Sequence, residues 1–337
     1  MTPRVSIVLP VRDAWDTLDA CMDSIRRQTF EDFEVVAVDD GSADGSTGIL
    51  ARWAGRDPRI RHIRTPRRGL VPALNLGLSA ARAVFVARMD ADDLMEPQRL
   101  ALQHRRLASD PALAVVGSRI RLFPEELIRD GYRHYADWQN ACVTPRDIAD
   151  EIYVEAPFAH PSVMFRAAPV RALGGYREGP FPEDYDLWLR LHRAGRAMAK
   201  IPRVLLHWRE RPNRTSRTDP RYGREAFDRL RAEHLAADSR LAHNRDRLVI
   251  WGAGRRTRRR CVHLLSRGFR PRAWIDVDPR KIGNRLGGAP VVAPDWLDRR
   301  PRPFVLGYVA SHGARALIAG RLHAMGYERG RDYLMVG

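Results

Sequence analysis

Phe33-Glu-Val-Val-Ala-Val-Asp-Asp-Gly-Ser42 runs a mostly apolar stretch straight into two aspartates and a glycine. A short apolar run closed by turn residues reads as a buried strand, which puts the acids at its carboxyl end. Two other stretches share this build. Upstream, Val5-Ser-Ile-Val-Leu9 leads into Pro10–Asp13, and downstream Val84-Phe-Val-Ala87 leads to Asp90. Helical patterns lie between them, through Leu18, Met22 and Ile25 and again over 70–82, with a weaker strand from Ile60 to Ile63. Alternating strands and helices call for a parallel sheet covered on both faces. Ligands of such sheets bind outside the carboxyl ends of the strands. The clusters Pro10–Asp13, Asp39–Ser42 and Asp90–Asp93 are therefore expected to line one crevice.

The chain has 337 residues, 58 basic and 41 acidic, a formal balance of +17. Length suggests two domains, and 44% apolar residues exclude wholesale disorder. No stretch approaches the ~20 apolar residues that span a bilayer, and no cleavage site follows the first apolar run. Cys21, Cys142 and Cys261 lie far apart, outside any CxxC pair, and read as reduced thiols of a cytoplasmic protein. Only Lys200 and Lys281 are lysines, so an arginine bias runs through the whole chain. Its surplus is uneven: residues 246–337 hold 19 basic and 7 acidic side chains. An anionic partner is expected there.

Prolines break up 110–210, but Glu183-Asp-Tyr-Asp-Leu-Trp-Leu-Arg-Leu-His192 is a clear helix, opened by Pro182 and closed by Gly195. A polar loop is expected at 209–220 and a helix at 221–243. Leu248-Val-Ile-Trp251 then enters Gly252-Ala-Gly254 and a helix, and the strand Ala273-Trp-Ile ends at Asp276. This new strand–helix–strand unit places two domains at 1–243 and 244–337. Its glycine turn and acid have the spacing of a dinucleotide site, with Thr257 in place of the third glycine. Gly252, Gly254 and Asp276 are thus candidate contacts for an unidentified nucleotide, or else a turn kept for geometry alone.

Asp90-Ala-Asp92-Asp93 sets three carboxylates in four residues. Like charges this close are costly unless a cation neutralises them, and Mg²⁺ takes one or two carboxylates plus phosphate oxygens and water. The plainer reading is an acid-rich helix start.

Together, Val5-Ser-Ile-Val-Leu-Pro10, Ser24-Ile-Arg-Arg-Gln-Thr-Phe30, Glu34 to Ser42, Met89 to Asp93, His160-Pro-Ser-Val-Met-Phe165, Gly174-Gly-Tyr176 and Glu183 to Trp188 resemble family 2 of the GT-A-fold glycosyltransferases over about residues 4–210. The resemblance implies a GT-A fold, an α/β architecture with a mixed, mostly parallel sheet, followed here by a smaller Rossmann-like domain. It implies transfer of a sugar from a nucleotide-diphosphate donor, a UDP-sugar, to a glycan or lipid-linked acceptor, with inversion and with Mn²⁺ or Mg²⁺. On that basis Asp40 would hold the nucleotide base, with Asp39, Pro10 and Arg12 beside it. Asp90 would face the ribose or sugar, Asp92 and His207 would hold the metal, and Asp184 would be the general base. Direct displacement at an anomeric carbon needs such a carboxylate and a stabilised leaving diphosphate.

Arg12 stands where the family usually carries an aromatic residue, although a guanidinium plane also stacks on bases. The Gln-x-x-Arg-Trp motif of processive synthases and their membrane helices are missing, so a processive polymerase is not expected. The location implied is the cytoplasm, at the inner face of the membrane. The alternative is a nucleotide- or polyanion-binding module without transfer activity. Against it, the basic surplus is not interleaved with the aromatics that a nucleic-acid platform needs, so no specific nucleic-acid partner is expected.

Overall fold

The computed structural model describes residues 2–212, 214–309 and 313–337. They form two compact units. The first comprises 1–148, 156–179 and 183–218, and the second 149–155, 180–182 and 219–337.

The first unit is built on eight strands: β1 (Val5–Val11), β2 (Phe33–Asp40), β3 (Ile60–Thr65), β4 (Phe85–Arg88), β5 (Leu94–Met95), β6 (Leu113–Phe123), β7 (Met164–Arg166) and β8 (Ala197–Arg209). Their order is β3-β2-β1-β4-β7-β6-β8-β5, with parallel pairing from β3 to β4 and between β6 and β8. β7 and β5 pair antiparallel with their neighbours. This is the mixed, mostly parallel sheet expected.

Alternation along β2 shows how the sheet is covered. Phe33, Val35 and Ala37 join the main core with Leu18, Cys21, Met22 and Ile25 of the helix Leu18–Arg26. Val36 and Val38 turn to the opposite face, against Ala73 of the helix Leu70–Ala80. Successive side chains of a strand point to opposite faces, and here both faces are dry. Gly77 lets that second helix lie close on β1, because a Cβ there would come within 2.5 Å of Val8 Cγ1.

The second unit has its own sheet: β9 (Leu248–Trp251), β10 (Ala273–Ile275), β11 (Arg285–Leu286), β12 (Ala289–Val292), β13 (Phe304–Gly307) and β14 (Tyr333–Met335). The order is β11-β12-β10-β9-β13-β14, and all pairings except the β11–β12 hairpin are parallel. Without β11, the chain order reads 3-2-1-4-5 across the sheet, the doubly wound arrangement whose reversal point lies between β9 and β13. The helix Arg224–Ala236 belongs to this unit, where Arg260 Nε donates to Asp228 Oδ1 at 3.2 Å. Residues 149–155 belong to it as well: Tyr153 Oη donates to Asp238 at 2.8 Å, and Arg231 donates to the Val154 carbonyl at 2.9 Å. Each compact unit therefore draws on more than one stretch of the chain. Among the described residues, no helix is long and apolar enough to cross a membrane.

Candidate functional site

The loops after β1 and β2 are laced together at the carboxyl edge of the first sheet. Asp13 stands at φ +47°, donates its N–H to Ser42 Oγ at 3.2 Å and accepts the Ala43 N–H at 2.8 Å. Ala14 N–H reaches Ser46 Oγ at 2.9 Å, and Trp15 N–H reaches Asp44 at 3.0 Å. Pro10 is buried inside β1, opposite Val38 of β2, and Arg12 is exposed at the strand's end.

Asp39 and Asp40 close β2 in different environments. Asp39 accepts Thr47 Oγ1 at 2.6 Å and Ser42 N–H at 2.9 Å. Burial works against its charge, but these bonds and nearby His62 outweigh it and hold the carboxyl below its ordinary range. Asp40 accepts the backbone amides of Arg68 and Gly69 at 2.7 and 2.9 Å, at the start of the helix Leu70–Ala80.

The three acids after β4 converge: Asp90, Asp92 and Asp93 each bring a carboxylate oxygen within 4.8 Å of the others. Asp93 is 1% exposed; its Oδ1 accepts the Arg209 N–H at 2.7 Å, while its Oδ2 is buried without a hydrogen-bond partner. Burial and the neighbouring charges push its pKa well up, and Asp92 is raised by burial and by Asp90. Carboxylates forced together, one with an orphaned oxygen, make a hard donor set with an unmet need for positive charge. The site fits a divalent cation of the Mg²⁺ or Mn²⁺ kind.

Arg88 is one residue that the sequence did not single out. It is 2% exposed, and its guanidinium pairs with Asp90. Its field also reaches Tyr176, Glu183 and Asp184. An arginine inside the apolar strand Phe85–Arg88, two residues before Asp90, was the signal available. Arg99 fixes the end of this strand: its guanidinium, 0% exposed, donates to the Arg88 carbonyl at 2.7 Å.

The helix Glu183–Arg193 presents Glu183 and Asp184 in its first turn. Asp184 Oδ1 accepts the Tyr185 N–H at 2.7 Å, and burial next to Glu183 raises its pKa to about 8. A carboxyl raised so far is suited to exchanging protons near neutral pH. Behind it, His160 Nε2 and Tyr176 Oη lie 2.9 Å apart, and His160 Nδ1 is 3.9 Å from Glu183.

His207 faces Leu94 of β5, the residue that follows Asp93. β8 extends to Arg209, so His207 lies within the strand, between β6 and β5. Its Nε2 meets Glu96 Oε1 at 2.6 Å. Of the polar loop expected at 209–220, position 213 lies outside the described residues; the rest includes a helical turn, Thr215–Thr218.

In the second unit Gly252, Gly254 and Asp276 do meet at a strand edge. Asp276 accepts the Ala253 and Asp278 amides at 2.9 and 3.0 Å and pairs with Lys281 at 3.1 Å. The carboxylate therefore ties down the glycine turn. Gly252 needs its φ of +116°, and a Cβ there would come within 2.7 Å of Thr257 Oγ1.

Residues 6–174 match the family model described as Glycosyl transferase family 2. The amylovoran biosynthesis glycosyltransferase AmsE of Erwinia amylovora is 32% identical over 203 residues, covering 60% of this chain and 74% of AmsE. Among solved structures, S. aureus TarS 1–349 with UDP-GlcNAc superposes with a TM-score of 0.57 at 16% identity, over 70% of this chain and 67% of that one, and shows likeness of fold. The mannosyltransferase PcManGT of Pyrobaculum calidifontis, solved with GDP-Man and Mn2+, gives a TM-score of 0.51 at 25% identity, over 70% of this chain and 63% of its own.

Proposed function

Since this chain belongs to glycosyl transferase family 2, we propose that it is an inverting, metal-dependent glycosyltransferase that takes a UDP-sugar or related donor to a hydroxyl of a glycan or lipid-linked acceptor. The observation that carries this reading is the grouping of Asp90, Asp92 and Asp93 at the sheet edge beside Asp39 and Asp40. The Mn²⁺ and nucleotide sugar bound by the mannosyltransferase support it.

Asp39 and Asp40 are assigned to the nucleoside, with exposed Arg12, which lies 3.6 Å from Asp13, assigned to stack on the base. Asp92 and Asp93 are assigned to the cation and Asp90 to the ribose or sugar side. A divalent cation bound there supplies positive charge to the leaving diphosphate. Asp184, once ionised, accepts the acceptor hydroxyl's proton as that oxygen attacks the anomeric carbon. The bond to the diphosphate breaks on the opposite face, which inverts the anomer. Arg88 joins the two halves of this machinery, because it pairs with Asp90 and favours the ionised form of Asp184. His207 is left out of the metal set, since Glu96 occupies it.

The test is hydrolysis and transfer from UDP- and GDP-sugars, with EDTA and after Mn²⁺ is restored, with the product anomer read by NMR. Metal-independent turnover or retained configuration would each contradict part of the reading.

The second unit is assigned to an anionic surface at the cytoplasmic side of a membrane. Arg255, Arg256, Arg258 and Arg259 are exposed on the helix Arg255–Leu265 and make no ion pair among the described residues. Binding to anionic and neutral vesicles across a salt series checks this, because exposed charge contacts are screened beyond about 8 Å at physiological salt.

A further inference from the structure

The segment leaving β8 is fastened to the acidic loop. Arg209 donates its N–H to Asp93 and its Nε to the Asp92 carbonyl at 2.6 Å. Beyond it, two arginines are already engaged. Arg214 lies 4.2 Å over the Trp208 ring and donates to Tyr132 Oη, and Arg217 pairs with buried Glu210 at 2.7 Å. Arg211 is placed differently. Its Nη2 donates to Asp16 at 3.0 Å, in the loop after β1, and its Nε lies 3.8 Å from Asp92 Oδ2. One guanidinium thus spans the crevice from the donor-side loop to a candidate metal ligand.

Resting on the metal-dependent reading above, we propose that Arg211 is a stand-in cation that couples metal binding to donor binding. In the donor-free protein its charge partly neutralises Asp92. At 3.8 Å and partly exposed, the pair is a loose one, well short of a bidentate fork, and such pairs hold weakly. A divalent cation arriving alone must displace this guanidinium and leave it without its second carboxylate. If a diphosphate arrives too, the displaced fork gains an anion whose geometry suits it. Metal and donor then each strengthen the binding of the other by the same factor.

The experiment measures Mn²⁺ binding by the EPR signal of free Mn²⁺, with and without UDP, on the full chain and on Arg211→Gln and Arg211→Lys. Thermal unfolding checks that each variant is folded. Arg211→Gln should bind Mn²⁺ more tightly without UDP, by up to about fivefold, since an exposed pair is worth up to about 1 kcal/mol. The factor by which UDP tightens Mn²⁺ should shrink correspondingly. Arg211→Lys keeps the charge but not the fork, so its UDP-free Mn²⁺ affinity should stay near wild type while UDP binds more weakly. Unchanged or weakened Mn²⁺ binding in folded Arg211→Gln, with the UDP effect intact, overturns the role of Arg211 alone. A wild-type chain that binds UDP but no Mn²⁺ under either condition overturns the metal reading together with it.

Discussion

Asn75 and Tyr176 exchange two hydrogen bonds: Asn75 Nδ2 donates to the Tyr176 carbonyl at 2.8 Å, and the Tyr176 N–H returns to Asn75 Oδ1 at 2.9 Å. The pair pins the Gly174–Gly175 turn to the helix Leu70–Ala80. Gly175 stands at φ +69°, and a Cβ there would come within 2.6 Å of Asn75 Oδ1. Tyr176 then meets His160 beside Glu183, so this turn seats the helix that carries Asp184.

Asn75→Leu should therefore lower unfolding stability by about 1–3 kcal/mol, the usual cost of leaving buried backbone groups unpaired. It should also lower turnover. Gly175→Ala should do the same for a steric reason. Urea unfolding midpoints and transfer rates on the same samples check both effects.

Asp184→Asn should reduce turnover by ~10²–10⁴-fold while donor binding stays nearly unchanged. In the wild type, kcat/KM should rise with pH and level off above about 8, because Asp184 is protonated and unable to accept a proton below that value. The stability effect has the opposite sense. A carboxyl whose pKa is raised on folding makes the native state bind the proton more tightly, so stability falls as pH climbs from the ordinary carboxylate range towards about 8. Asn lacks that penalty, and Asp184→Asn should gain in Tm over wild type more at pH 7.5 than at pH 5.

Asp92→Asn should lower Mn²⁺-stimulated turnover by about 10²-fold or more, the worth of a few kcal/mol at the leaving group. Its Tm should not fall, since burial and Asp90 already disfavour the charge of Asp92. Equal stimulation by Mn²⁺ in mutant and wild type would remove Asp92 from the site.

Lys200→Met should stabilise the protein, and more so at low pH. Lys200 is 4% exposed, and burial pushes its pKa down to about 7. Below that value the folded chain carries an ammonium in a dry site. Between about 7 and the ordinary lysine range the unfolded chain binds the extra proton, so wild-type stability recovers as pH rises. Urea unfolding of both proteins at pH 6 and pH 9.5 should show the advantage of Met shrinking.

The first sheet was legible because β1, β2 and β4 are mostly apolar runs that lead into acids or turn residues. Val5–Val11 and Phe33–Asp40 are buried along their whole length, so no polar alternation blurs them. That His207 lies inside a strand was not legible, because the bulged pairing of β6 with β8 carries the strand past Pro202, which local pattern alone cannot show. The reach of Arg88 and Arg211 was hidden for another reason. Both act on acids through tertiary geometry, and in a chain so rich in arginine no single one stands out by type. The helix Arg224–Ala236 read as the end of the first domain, whereas its partners lie later in the chain. Asp228 waits for Arg260, and only the fold reveals that pairing.

The membership of residues 149–155 in the second unit carries a consequence for synthesis. The first unit has its last strand and helical turn in hand once residue 218 has been made. The heptapeptide Ala149–Glu155, already outside the ribosome by then, must wait for the Arg231 and Asp238 side chains and for Gly337, whose N–H donates to the Tyr153 carbonyl at 2.8 Å. At 5–20 residues per second, the remaining 219–337 take roughly 6–24 s to emerge. Throughout that interval a nascent chain with one finished unit displays Ile152, Tyr153 and Val154, all buried in the end state. This tripeptide is the natural place for a chaperone to hold the growing protein, and the place where a stalled ribosome would leave it prone to aggregation.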